Sequence, residues 1–282
     1  MYPRPFDYVA ATSIEEAVRE LGNAEFGKVM SGGMSLIPMM KLRLLSPEVV
    51  VDIGRIEGLG QISDDGDTIT IGALVRHEQT AKSDLVPVAL RTAAGWTGDR
   101  QVRARGTTCG AMAHADIAAD QTSAVLALGG TMIAQGPNGT REIAAEDFFV
   151  DVLTSALEPN EILTGIRVSK NGGGSAYDKL GRRGGHTDYA VAGASAHVEM
   201  SDGHVSSARV ALTGVGTKPS LAHGVMEALV GSDGSEASVT EAAEKAVDGV
   251  TVLEDLYGSV DYKSHLARVM VKRAVLTAIN SR

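Results

Sequence analysis

Three consecutive glycines, Gly172, Gly173 and Gly174, interrupt the chain between Asn171 and Ser175. A glycine inside a helix or strand costs about 0.5–1 kcal/mol relative to alanine, so three together are disfavoured in either element. The break predicts a linker, or an ordered crossover, at residues 171–175, with one folded region before it and a second after it. At 282 residues the chain can bury one large core or two moderate ones. Glycine is abundant throughout, 33 residues against four Phe, six Tyr and one Trp. Backbone atoms are therefore expected to perform tasks that large side chains perform in other proteins.

Charge and cysteine usage narrow the class. With 26 Lys and Arg against 35 Asp and Glu, the formal charge of -9 argues against an extended nucleic-acid surface. Cys109 stands alone and has no internal disulfide partner, and no basic leader with an apolar h-region or apolar run of about 18 residues is present. These features lead to the expectation of a cytoplasmic chain with no transmembrane segment, peripheral association through a partner being left open. The seven histidines are dispersed without an H-E-x-x-H pattern, and no C-x-x-C spacing supports a cluster in this chain. Arg100, Arg103 and Arg105, and then Arg182 and Arg183, form basic islands that suit either solvated surface or contacts to a phosphate or partner.

Periodicity outlines the elements. Ser13 and Glu16 have capping-box spacing ahead of Ile14, Ala17, Val18 and Leu21, predicting a helix over 13–21. Strands are expected at 28–30, 49–53, 68–71, 131–134 and 162–168, and helices at 85–94 and 121–128. Beyond the glycine break, 190–200 and 205–212 read as a hairpin about residues 201–203, followed by helices over 239–247 and 266–279. The pattern is α+β on both sides of the break.

Two glycine-containing passages carry the chemistry. Val29, Met30, Ser31, Gly32, Gly33, Met34, Ser35 and Leu36 follow a strand candidate. Paired glycines permit a tight turn that exposes successive N–H groups, and the serines add donors, which suits a pyrophosphate. An ordinary tight turn gives the same pattern, and neither a Walker lysine nor G-x-G-x-x-G is present. The second passage, 103–120, combines small residues with hydroxyls around Thr107, Thr108, Cys109, Gly110 and Ala111 and ends at Asp120. It reads either as a cofactor loop or as a close-packed turn with a capping Asp120.

On these residues the chain resembles the FAD-binding medium subunit of molybdenum hydroxylases, the group that includes carbon monoxide dehydrogenase medium chains, xanthine dehydrogenase flavin subunits and bacterial nicotine or N-heterocycle dehydrogenases. The resemblance spans nearly the whole chain. It begins at residues 2–8 and takes in Ser31 to Leu36 as the first FAD loop, Thr107 to Ala111 as the second, and Asp120 as the acidic position after it. Cys109, Ala111 and Ala104 depart from the family pattern, where glycine, a polar residue and asparagine are usual. Residues 177–190 resemble the entry into the family's C-terminal domain and carry Lys179 over as a cofactor contact, although an ion pair is the commoner fate of one lysine. Tyr189, His114 and Asp116 are left open between flavin contact and ordinary loop positions.

The resemblance implies a two-subdomain PCMH-type FAD-binding domain at 1–175, with subdomains at about 1–55 and 56–175. A small CO-dehydrogenase-flavoprotein-like α+β domain would follow at 176–282. It implies FAD in this chain, and molybdopterin and [2Fe-2S] clusters in a large and a small partner subunit. Electrons would pass from the iron-sulfur centres to this FAD and on to an external acceptor during hydroxylation of a small heteroaromatic substrate. No residue of this chain is expected to be catalytic and none to bind a metal. The rival readings are a stand-alone flavin oxidoreductase and a flavin-free scaffold.

Overall fold

A computed structural model describes residues 1–170 and 172–281. The first unit runs β1 (Asp7–Ala10), α1 (Ile14–Gly22), β2 (Gly27–Met30), α2 (Leu36–Lys41) and β3 (Val49–Asp52). Its strands form a parallel sheet in the order β1-β3-β2, so each connection crosses over through a helix. Val49, Val50 and Val51 of the central strand are all buried, as a strand covered on both faces requires. α1 starts where the spacing predicts, with the Glu16 N–H donating to Ser13 Oγ at 3.1 Å. The return bond is displaced by one residue, because Glu16 Oε2 accepts from the Thr12 N–H and hydroxyl instead.

The second unit contains β4 (Ile62–Asp64), β5 (Thr68–Gly72), α3 (His77–Lys82), α4 (Val88–Trp96), α5 (Arg100–Arg105), α6 (Thr108–His114) and α7 (Asp120–Ala127). It continues through β6 (Thr131–Gly136), β7 (Gly139–Ala144), α8 (Ala145–Phe148), β8 (Phe149–Asp151), β9 (Thr154–Ser155) and β10 (Ile162–Ser169). Five of these strands form an antiparallel sheet in the order β4-β5-β10-β6-β7, with Ile69, Ile71, Met132 and Ile166 on the core face. α4 begins at Val88, later than periodicity suggests, because Pro87 occupies its N-cap. The second glycine passage is a helix start and not an open loop. Thr107 caps α6 by accepting from the Gly110 N–H at 3.1 Å, and Ala115 ends that helix in the left-handed region.

The third unit comprises β11 (Gly174–Gly181), β12 (Ala190–Ser201), β13 (His204–Thr213), β14 (Ser220–Leu221), α9 (His223–Leu229), α10 (Glu236–Ala243) and α11 (Val260–Asn280). The strands pair in sequence order as an antiparallel sheet. α11 lies on that sheet through Leu266, Ala267, Met270, Val271, Ala274, Val275 and Ala278, all buried and recurring with the three-to-four-residue period of one helix face. The expected linker is shorter than the composition suggests. Gly174 and Ser175 already belong to β11, while Asn171 lies outside the described residues. The glycines are needed there for close approach: a Cβ on Gly173 would lie 1.9 Å from the Val198 carbonyl oxygen, and one on Gly174 1.9 Å from that of Ala278.

The third unit is not a detached module. Tyr177, Ala211 and Leu221 belong to the same buried cluster as the second unit's sheet, and Ser123 and Ser195 share a buried hydroxyl contact of 2.9 Å. Among the described residues no helix is long and apolar enough to cross a membrane.

Candidate functional site

A cavity of about 1040 Å³ opens between the parallel sheet and the second unit and reaches the segment Thr187 to Tyr189 of the third. That size is at the upper end for small-molecule sites, about 300–1,000 Å³, and suits a dinucleotide-sized ligand. One wall is the turn from β2 into α2. Gly33 there has φ +72°, and its carbonyl accepts from the Ile37 N–H at 3.0 Å. Among the described residues, no protein acceptor is found for the N–H groups of Gly32, Gly33, Met34 and Ser35. Four consecutive cavity-lining residues whose amides have no protein acceptor among the described residues are available to bind an anion.

The opposite wall is the capped start of α6, and the two walls touch. A Cβ on Gly32 would fall 2.3 Å from the Arg105 carbonyl oxygen and 2.8 Å from Gly106 Cα. Ser31 Oγ and Thr107 Oγ1 share a hydrogen bond of 2.8 Å across the junction. Residues 76 positions apart are thus joined, and the two glycine passages become one surface. Val29, Met30, Ser31, Gly32, Gly33, Met34, Ser35 and Leu36 line the cavity, as do Thr107, Cys109, Gly110, Ala111 and Asp120. His114, Asp116 and Tyr189 line it as well.

Two expected residues lie behind the wall. Thr108 is fully buried, its hydroxyl 2.7 Å from that of Thr80 in the core. Lys179 is also buried, and its ammonium donates to Asp120 Oδ1 at 2.6 Å, the Asp188 carbonyl at 2.7 Å and the Trp96 carbonyl at 3.2 Å. Its three protons have protein acceptors, so Lys179 acts as a clamp that holds Asp120 and the Asp188 turn together, and it stands outside the cavity lining. Tyr177 Oη donates to the same Asp120 oxygen at 2.6 Å. Burial nevertheless pushes the Asp120 carboxyl up to about 6, against the pull of Lys179 and Tyr177, and burial lowers Lys179 from its ordinary value. Cys109 donates its thiol to the Ile71 carbonyl at 3.3 Å, and burial pushes its pKa far up. That thiol is a packing group with no thiolate character.

Sequence reasoning missed His77, Thr97 and Gln121, which also line the cavity. His77 and Gln121 lie 44 positions apart and meet only through tertiary packing, Gln121 Nε2 standing 2.7 Å from His77 Nδ1. Among the described residues no group of three or more His, Cys, Asp or Glu side chains is arranged to hold a metal ion. The available amides, the glycine contacts that bring the walls together and the volume of the cavity fit a pyrophosphate-containing cofactor.

Parallel crossover unit, antiparallel sheet and amide-lined cleft together define an FAD-binding α+β protein with an attached C-terminal flavoprotein domain. Residues 4–170 match the family described as the FAD binding domain in molybdopterin dehydrogenase, and residues 175–278 match the CO dehydrogenase flavoprotein C-terminal domain. The chain belongs to this family of FAD-binding medium subunits of molybdopterin-dependent, CO dehydrogenase-type enzymes. It is 38% identical over 284 residues to the carbon monoxide dehydrogenase medium chain of Hydrogenophaga pseudoflava, covering 99% of this chain and 98% of that one. It is 35% identical over 288 residues to the 6-hydroxypseudooxynicotine dehydrogenase complex subunit alpha of Paenarthrobacter nicotinovorans, covering 99% and 96% respectively. A chain in the structure of the Hydrogenophaga pseudoflava carbon monoxide dehydrogenase lacking the Mo-pyranopterin moiety superposes with a TM-score of 0.95 at 39% identity, covering 100% of this chain and 99% of that one.

Proposed function

We propose that this chain is the electron-transfer subunit of a heteromeric molybdenum hydroxylase, assembled with a small iron-sulfur subunit and a large molybdopterin-binding subunit. When bound, FAD supplies the redox chemistry that links [2Fe-2S] centres of the partner to an external electron acceptor. The observation that carries this reading is the single cavity made from the two glycine passages, with four amides on one wall that have no protein acceptor among the described residues. The amides of residues 32–35 hold the pyrophosphate. Thr107, Cys109, Gly110 and Ala111 form the facing wall, and Asp120 borders the cavity from the start of α7. Lys179 and Thr108 keep that wall in place from behind.

The substrate of the assembly is a small, heteroaromatic molecule bound by the large subunit. A relative named nicotine 6-hydroxylase medium subunit, 31% identical over 274 residues, supports the heteroaromatic class. The chain contributes cofactor orientation and water exclusion, and no side chain of its own needs to move a proton. The cofactor domain ends where β11 begins and the C-terminal domain starts with that strand, in a complex working in the cytoplasm.

The intact complex purified through a tag on this chain tests the reading by its metal and flavin content. FAD, iron and molybdenum present together in fixed proportion are expected. Flavin without iron or molybdenum would make the chain a stand-alone flavin oxidoreductase. A chain that stays colourless after incubation with FAD would make it a flavin-free scaffold.

A further inference from the structure

His77 opens α3, and its N–H donates to the Gly106 carbonyl at 3.0 Å. Its ring presses edge-on against Gly106, where a Cβ would lie 2.7 Å from both Nε2 and Cδ2. Gly106 in turn underlies Gly32. The imidazole is therefore one residue removed from the amides of 32–35, on a part of the wall where no family loop motif falls.

The protons of this cluster can be assigned from hydrogen-bond chemistry. Thr97 has one hydroxyl proton, and the Ala93 carbonyl, 2.8 Å away, can only accept it. Thr97 Oγ1 therefore faces Gln121 as an acceptor, and the Gln121 atom 3.1 Å from it is the amide nitrogen. The second amide hydrogen points at His77 Nδ1. Reversing the carboxamide would bury an unpartnered NH2 group with two donors, whereas the present orientation leaves only the acceptor Oε1 without a partner. Nδ1 accepts, so the ring proton sits on Nε2. Among the described residues no acceptor is found for Nε2, and His77 lines the cavity.

We propose that His77 is a cofactor-binding residue, its Nε2–H donating to a pyrophosphate oxygen of bound FAD, and that Gln121 is the positioning residue that fixes its tautomer. This rests on the FAD reading given above. A neutral ring N–H adds to the neutral amides of residues 32–35 without placing a second cation near the Lys179–Asp120 pair.

The test uses the full chain labelled with 15N-histidine. Nitrogen NMR is expected to show the Nε2-protonated tautomer of His77, with the Nε2–H proton moving downfield on addition of FAD and staying in place with riboflavin, which has no phosphate. His77→Phe is expected to weaken FAD binding by about tenfold, the usual scale of one such bond, and to shift the phosphorus resonances of bound FAD. Gln121→Leu is expected to weaken FAD binding in the same direction while the ring samples both tautomers. The wild-type titration stands by itself should either variant fail to fold. An Nδ1-protonated ring, an Nε2–H proton indifferent to FAD, or unchanged phosphorus resonances in His77→Phe would overturn the proposal and leave the cofactor assignment intact. Failure of the wild-type chain to bind FAD at all would overturn both.

Discussion

Gly32 is the residue on which the two walls close, because any Cβ there would occupy the space of the Arg105 carbonyl. Gly32→Ala is expected to lower FAD affinity by at least about tenfold, since a 1.4 kcal/mol distortion already has that effect; flavin fluorescence titration reads it. Lys179 has the opposite character, a side chain whose removal leaves a charge behind. Lys179→Met is expected to cost about 3–5 kcal/mol at pH 8, the scale for stripping one partner from a buried ion pair. The loss should shrink towards pH 5 as the stranded Asp120 takes up a proton, and urea unfolding at the two pH values checks this. His77 and Asp120 titrate against each other. Burial lowers His77 from 6.5 to about 4, so between those values the unfolded chain binds more protons and stability rises with pH. Asp120, raised from 3.8 to about 6, binds more protons when folded, and its contribution falls as pH rises over nearly the same window. His77→Phe is therefore expected to remove a gain of about 3 kcal/mol between pH 4 and 6.5, at 1.36 kcal/mol per unit. Denaturation of both proteins across that range should show the variant's stability declining where the wild type holds; parallel curves would contradict the assignment.

At the scale of elements, the cap of α6 is where local structure and site coincide. Thr107 satisfies the Gly110 N–H and also bonds Ser31 across the junction, so one hydroxyl both starts a helix and joins two units. Thr107→Ala is expected to destabilise the chain by about 0.5–2 kcal/mol, the range for a lost N-cap, and to loosen FAD binding as well, which calorimetry and fluorescence titration would show together. The capping-box spacing at Ser13 and Glu16 was legible because it involves neighbours three positions apart. α5 and α6 were not legible: residues 100–114 mix arginine, glycine and alanine without an apolar period, and α5 has no buried residue at all. β1 was equally silent. Its residues are exposed or half-buried, and it is a strand because β3 pairs with it.

For the whole molecule, the cavity draws its walls from all three units, so a ligand that fills it ties them into one unfolding event. FAD at a hundredfold excess over its dissociation constant is expected to add about 2.7 kcal/mol of stability and to raise one calorimetric transition. Two separate transitions, only one of them moved by FAD, would show that the third unit unfolds independently. The packing argues against that, since Tyr177 of β11 donates to Asp120 of α7 and Arg209 of β13 bonds Glu146 and the Leu126 carbonyl.

The sequence by itself determined the α+β character, the break after the second unit, the two glycine passages and the family they resemble, because each is carried by residues close together in the chain. Tertiary structure alone decided that the passages meet through Ser31 and Thr107, that Lys179 turns inward to Asp120, and that His77, Thr97 and Gln121 form one polar cluster beside the cavity. Those partners are separated by tens of residues, and a hydrogen bond fixes geometry only after packing has brought its ends together. The glycines at 172–174 show both levels: their number announced an interruption, but it took the Val198 and Ala278 carbonyls, each 1.9 Å from where a Cβ would stand, to show that the interruption is a site of close packing.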